Sequence, residues 1–114
     1  MTTLRKAQIH QSGTVGTVYL LHFKLPYRHC RHYIGFTSRP LETRLGEHWR
    51  GNGAALTAAV HAEPQNALIL ARTWTDVDQS IEMILKSRAE SPKLCPICNP
   101  DALKYAVYET KGTP

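Results

Sequence analysis

The chain has 114 residues and a mass of 12.8 kDa, enough for one domain with a small core and no second specificity module. Its composition, 42% hydrophobic and 20% charged, excludes global disorder, and apolar runs as short as "ALILA" (67–71) exclude a helix that crosses a bilayer. The net charge is +5 with a pI near 9.3, and eight of the fourteen basic residues are arginine; this favours a polyanionic partner, because Arg pairs bidentately with phosphate, although a merely basic soluble protein has the same balance.

Residues 1–13 are polar, lack the continuous apolar stretch of a secretory signal and read as a flexible leader. Three cysteines, an odd number, argue against a disulfide framework, and together these features predict a cytoplasmic protein. "TVGTVYLLHF" (14–23) is rich in β-branched and aromatic residues and predicts a strand. "KLPYRHCRH" (24–32) reads as a loop, the most basic stretch of the chain, leading to a second strand in "HYIGFT" (32–37). There Gly35 lets a backbone or ligand come close. Thr37 or Ser38, followed by Pro40, signals a helix that runs to about Trp49 and stops at "RGNG".

A short alanine-rich helix (54–62), a third strand (67–74) and an amphipathic helix (76–90) follow, the last with Val77, Ile81, Ile84 and Leu85 on one face. The order ββααβα over 14–90 predicts a small α+β sandwich, a three-stranded antiparallel sheet flanked by helices, its first two strands a hairpin. The remaining 91–114 holds four prolines and a Cys-x-x-Cys, and reads as an irregular C-terminal tail.

In the first helix Leu41, Leu45 and Trp49 form the expected buried stripe, with Arg44 and His48 four apart on its edge, where a cleft wall would be. A solvated basic face is the plain alternative. Glu82 falls on the margin of the stripe centred on Ile81. Its alternative is an ordinary Glu82–Lys86 pair worth about 0.2–0.5 kcal/mol, against which Asp78 one turn earlier repels it. Tyr19 and Tyr33 lie in mid-strand, where single tyrosines usually pack a core. Two tyrosines on paired strands, covered by Arg, His and Glu, form a set able to bind a metal, hold a phosphate and handle a proton.

With these pieces in order, "TVYLL", "YIGFT", "LETRLGEHW" and "SIEMILK", the chain resembles the GIY-YIG nuclease domain over roughly 15–86. Tyr33-Ile34-Gly35 matches the second half of that name. Thr17-Val18-Tyr19 matches the first half at the tyrosine and the apolar residue before it, with Thr17 where the family usually has glycine. The resemblance implies a metal-dependent DNA endonuclease with Tyr19, Tyr33, Arg44, His48 and Glu82 as its site. Glu82 would hold one Mg²⁺ or Mn²⁺ and Arg44 the nonbridging phosphate oxygens. One of the tyrosines would help activate water, and His48 would serve as an auxiliary acid/base or proton relay. Asn99 sits about where some members place an asparagine after the glutamate helix. The implied partner is DNA, double-stranded or branched, with specificity from a homodimer, a separate protein or DNA shape. The alternative is a non-catalytic nucleic-acid-binding module that keeps the fold.

Two motifs stand outside that match. Lys24, Arg28 and Arg31 in the basic loop are placed to grip a DNA backbone beside the tyrosines, unless the loop is merely solvated or spent on a metal. Cys95 and Cys98 are half of a structural zinc site by spacing, with Cys30 and either His29 or His32 as the completing ligands; two reduced thiols in a turn are the alternative.

Overall fold

A computed structural model describes residues 3–4 and 14–108. In chain order they form β1 (Thr3–Leu4), β2 (Val15–Tyr27), β3 (Cys30–Thr37), α1 (Leu41–Trp49), α2 (Ala55–His61), β4 (Leu68–Asp78), α3 (Gln79–Arg88), α4 (Ser91–Leu94), a 3₁₀ turn (Ala102–Lys104) and β5 (Val107–Tyr108). The protein is α+β, with a three-stranded antiparallel sheet in the order β3-β2-β4 flanked by helices, as the sequence predicts. No helix among the described residues is long and apolar enough to cross a membrane. The expected leader falls, Thr3–Leu4 apart, outside the described residues.

β2 is the central strand, paired with β3 on one edge and β4 on the other, and both its faces are covered. Val18, Leu20 and their neighbours Ile34 and Trp74 pack with Ile81, Leu85 and Leu94 into one core. Tyr19, Leu21 and Phe23 alternate to the opposite face and are equally buried, with Tyr19 meeting α1 there. Burying each of these side chains stabilises by about 1.5–3 kcal/mol, so the near-continuous apolar run "VYLLHF" belongs to a strand with no solvent face.

The basic segment 24–32 is not a loop. β2 and β3 continue to a tight turn at Arg28–His29, with Arg28 left-handed at φ 56° and Tyr27 paired to Cys30. Between the pairs His22–His32 and Tyr27–Cys30, β2 spends 23–26 where β3 spends only Arg31. That bulge takes in Pro26, which has no N–H to give the ladder. The Arg31 guanidinium serves the carbonyls left over, donating to Phe23 O at 3.1 Å and Lys24 O at 3.0 Å.

β4 also outruns its predicted end. Its register skips Ala71 and Asp76, and Asp76 takes φ 57°, a conformation that Asp tolerates better than most residues. Val77 is therefore buried as a strand residue opposite Gly16, not on a helical face. Asp78 is no helical neighbour repelling Glu82: it is the N-cap of α3, its carboxylate accepting from Ser80 N at 3.0 Å. The tail is irregular in outline but well anchored. Arg72 stacks over the Trp74 ring at 4.5 Å and donates to the carbonyls of Leu94, Ala102 and Tyr105, while Trp74 Nε1 donates to Ala106 O. β5 pairs in parallel with β1, and Leu94, Cys95, Ala102 and Ala106 join the buried set.

Candidate functional site

The turn from β3 into α1 lays the helix on the sheet face that carries Tyr19. Its orientation differs from the expected one: Trp49 is exposed and Leu41 and Leu45 only half-buried, while His48 is the buried residue of α1. The i, i+4 pair Arg44 and His48 thus faces the sheet. The Tyr19 hydroxyl lies 2.8 Å from His48 Nε2, and Arg44 Nε donates to it at 3.3 Å. Tyr33 stands beside them, its ring centroid 5.4 Å from that of His48 and 6.3 Å from that of Tyr19. Two glycines make room. Gly35 lies directly across from Tyr19, and an added Cβ would collide with the tyrosine ring; one on Gly53 would collide with the His48 ring.

Hydrogen positions follow from the partners. Thr57 Oγ1 donates to Ala54 O at 3.0 Å, so its single proton is spent. The 2.8 Å contact between Thr57 Oγ1 and His48 Nδ1 must then be an Nδ1–H donated to the hydroxyl oxygen. Burial, assisted by the Arg44 charge, lowers the His48 pKa to about 4, so the ring is neutral and Nε2 carries a lone pair. That lone pair accepts the Tyr19 proton. The chain runs in one direction, from Arg44 to Tyr19 to His48 to Thr57 to Ala54 O. Burial raises the Tyr19 pKa, and the Arg44 hydrogen bond works against that rise.

Arg44 is held from its other side by Glu47, Nη1 to Oε1 at 2.7 Å, and Arg39 clamps the same carboxylate with two bonds of 2.8 Å. The Glu47 pKa falls to about 2, first because of Arg39 and then Arg44, and the Arg44 pKa is raised. Glu82 is nearly buried, accepting from Gln79 Nε2 at 3.1 Å and pairing with Lys86 Nζ at 3.1 Å. The i, i+4 pair is therefore present, and it also joins Glu82 to the tyrosines: Lys86 Nζ sits 5.7 Å from the Tyr33 ring centroid, and the Glu82 charge helps raise the Tyr19 pKa. Sequence reasoning missed Thr57, Glu47 and Arg39. Only Glu47 left a local trace, three residues from Arg44.

The motifs outside this cluster are rearranged. His22, His32, Cys95 and Cys98 bring four donor atoms within 4.8 Å of one another, a group that could hold a metal ion. His22 takes the place expected for Cys30, which is exposed at the hairpin end and stands outside the group, as does His29. The reason is register: His22 and His32 are cross-strand partners, whereas Cys30 lies two residues, about 6–7 Å, further along the ribbon. Of the basic residues, Lys24 and Arg28 are exposed, Arg28 lying over the Tyr27 ring, while the Arg31 guanidinium is committed to backbone carbonyls. Asn99 spends its amide within the tail, on Lys93 O and Asp101 N. Compared with protein-family models, curated proteins and solved structures, the chain matches none.

Proposed function

We propose that this chain is a divalent-metal-dependent DNA endonuclease of the GIY-YIG type, hydrolysing phosphodiester bonds at Tyr19, Tyr33, Arg44, His48 and Glu82. The observation that carries the reading is the one-directional hydrogen-bond chain that starts at Arg44 and runs inward through buried Tyr19, His48 and Thr57. Polar groups are costly to bury, and apolar residues would serve folding as well. A chain that fixes a partly exposed guanidinium is worth that cost when the guanidinium has an anion to meet.

Each residue then has a task. Arg44 uses Nε on Tyr19 and Nη1 on Glu47, which leaves Nη2 for a nonbridging phosphate oxygen, a contact that strengthens as charge builds on phosphorus. Tyr19 is fully buried, so it orients Arg44 and His48 and does not touch water. Tyr33 is half-buried, and among the described residues its hydroxyl has no hydrogen-bond partner, so it positions the attacking water. His48 buffers the Tyr19 proton, and a phosphate anion beside Arg44 offsets part of the charge that depresses the imidazole.

Glu82 fits a hard divalent ion. Its partners, Gln79 and Lys86, are long flexible side chains, and a carboxylate keeps further lone pairs on both oxygens. Magnesium or manganese bound there would supply Lewis-acid charge at the phosphoryl and leaving oxygens. This ion is of a different class from any metal at the His–His–Cys–Cys group, whose thiolates and imidazoles suit zinc. Lys24 and Arg28 extend the basic surface for the DNA backbone. Specificity comes from a partner, a second copy or DNA shape. An enzyme of this kind meets its DNA in the cytoplasm, where free thiols persist.

Supercoiled plasmid incubated with the protein and Mg²⁺ should be nicked or linearised, and EDTA should stop the reaction. DNA bound but uncut across Mg²⁺ and Mn²⁺ would replace this reading with the non-catalytic binding module.

A further inference from the structure

The four donors on the far side of the sheet have a geometry of their own. His22 Nδ1 lies 3.3 Å from His32 Nε2, 3.6 Å from Cys95 Sγ and 3.6 Å from Cys98 Sγ, and Cys98 Sγ lies 3.4 Å from His32 Nε2. One ring nitrogen carries either one proton or one lone pair, so it cannot hydrogen-bond to three partners at once. A cation at the centre of the four accounts for every distance. With Zn–N about 2.0–2.1 Å and Zn–S about 2.3 Å, a regular tetrahedron puts two nitrogens about 3.3–3.4 Å apart and a nitrogen and a sulfur about 3.6 Å apart.

We propose that His22, His32, Cys95 and Cys98 bind one structural zinc ion. Two imidazoles from paired strands meet a Cys-Pro-Ile-Cys turn, which is already closed by Cys98 N and Asn99 N donating to Cys95 O. Four protein donors complete the tetrahedron, so no coordination position remains for a substrate. On binding, both thiols give up their protons and both imidazoles stay neutral. Two protons are released, and the site of one Zn²⁺ and two thiolates has no net charge, which suits its partly buried place. Magnesium and calcium are disfavoured because no oxygen donor belongs to the group.

The ion's task is to clamp the tail. It ties residues 95–98 to β2 and β3, whereas the Arg72 and Trp74 bonds tie the flanking Leu94, Ala102, Tyr105 and Ala106 to β4, and Pro-rich sequence supplies little regular hydrogen bonding of its own. The clamp also locks His22 against His32 at the last regular pair before the bulge, which keeps Leu21 opposite Tyr33. The inference stands apart from the nuclease reading, since none of the four residues belongs to that site.

The test is metal content and spectroscopy on the full chain. Protein purified without chelator should carry one zinc per chain by plasma mass spectrometry. After removal of the zinc, Co²⁺ should give the visible absorption of a tetrahedral site with a thiolate-to-cobalt charge-transfer band. His22→Ala and Cys98→Ser should both lose the ion, and Cys30→Ser should keep it. Because Cys98 is exposed, its serine variant tests the assignment even where His22→Ala fails to fold. A metal-free protein that takes up no cobalt would overturn the site. So would a Cys95–Cys98 disulfide in the intact mass, or zinc that survives His22→Ala and is lost in Cys30→Ser.

Discussion

Thr57→Val removes one hydroxyl from the middle of the buried chain while preserving the side chain's shape. No cavity opens, so the effect is one of hydrogen bonding alone. Ala54 O is not orphaned, because Ala58 N still donates to it at 2.9 Å. The loss falls on His48, whose Nδ1–H has nowhere else to go within a ring that is 0% exposed. A change of tautomer does not help: an Nε2–H would donate to the Tyr19 oxygen, and the Tyr19 proton would lose its acceptor. Either way one buried donor is unsatisfied, which costs about 1–3 kcal/mol. For a domain near this size that is roughly 4–8 °C of melting temperature per kcal/mol. Urea denaturation measures the stability, and ¹⁵N-resolved imidazole NMR reads the tautomer. Thr57→Ser, which keeps the hydroxyl, should restore the Nδ1–H form. A valine variant as stable as wild type, with His48 still protonated at Nδ1, would refute the assigned direction of the chain.

Glu82→Ala should abolish plasmid cleavage while leaving the denaturation midpoint nearly unchanged, since its partners are flexible; cleavage at the wild-type rate in Mg²⁺ would remove Glu82 from the metal site. Arg44→Lys should lower kcat far more than DNA affinity, because an ammonium cannot serve Tyr19, Glu47 and phosphate from one planar fork. Unfolded His48 takes up a proton near pH 6.5 and folded His48 only near pH 4, so the unfolded state binds more protons between these values. Stability should therefore fall across that window as pH drops, by about 3 kcal/mol from His48. His22 and His32, also held down by burial, add to the slope in metal-free protein, so ring NMR of His48 isolates its share. Arg28→Ala should weaken DNA binding on all sequences alike and flatten the log–log salt dependence by about 0.9 per lost phosphate contact. Arg31→Ala should instead loosen the hairpin, seen as faster amide exchange at Lys24 and Leu25.

The sequence determined what is periodic or contiguous. The apolar run in β2, the i, i+4 spacing of Arg44 and His48, the Glu82 margin and the Cys-x-x-Cys turn are set by residues within a few positions of one another. Helical and extended periods place such residues on common faces whatever the rest of the chain does. Composition is less specific. The arginine count favours a polyanionic partner without saying which arginines are placed to meet one: Arg31 and Arg72 serve backbone carbonyls, and Arg39 and Arg44 share Glu47.

Tertiary structure alone decided which distant groups meet. His22 looked like one more strand residue, and its role depends on the pairing with His32. That register is set by a bulge in which 23–26 oppose Arg31, and no local pattern states how many residues a bulge will take up. Thr57 entered the site because α2 packs beside α1, and β4 ran on through Asp76 because a left-handed residue let the ladder resume. Which side of α1 turns inward was decided likewise. Trp49 was the larger hydrophobe, but the sheet offered the Tyr19 hydroxyl and the gap above Gly53, and a buried imidazole satisfied at both nitrogens fits that place where an indole does not.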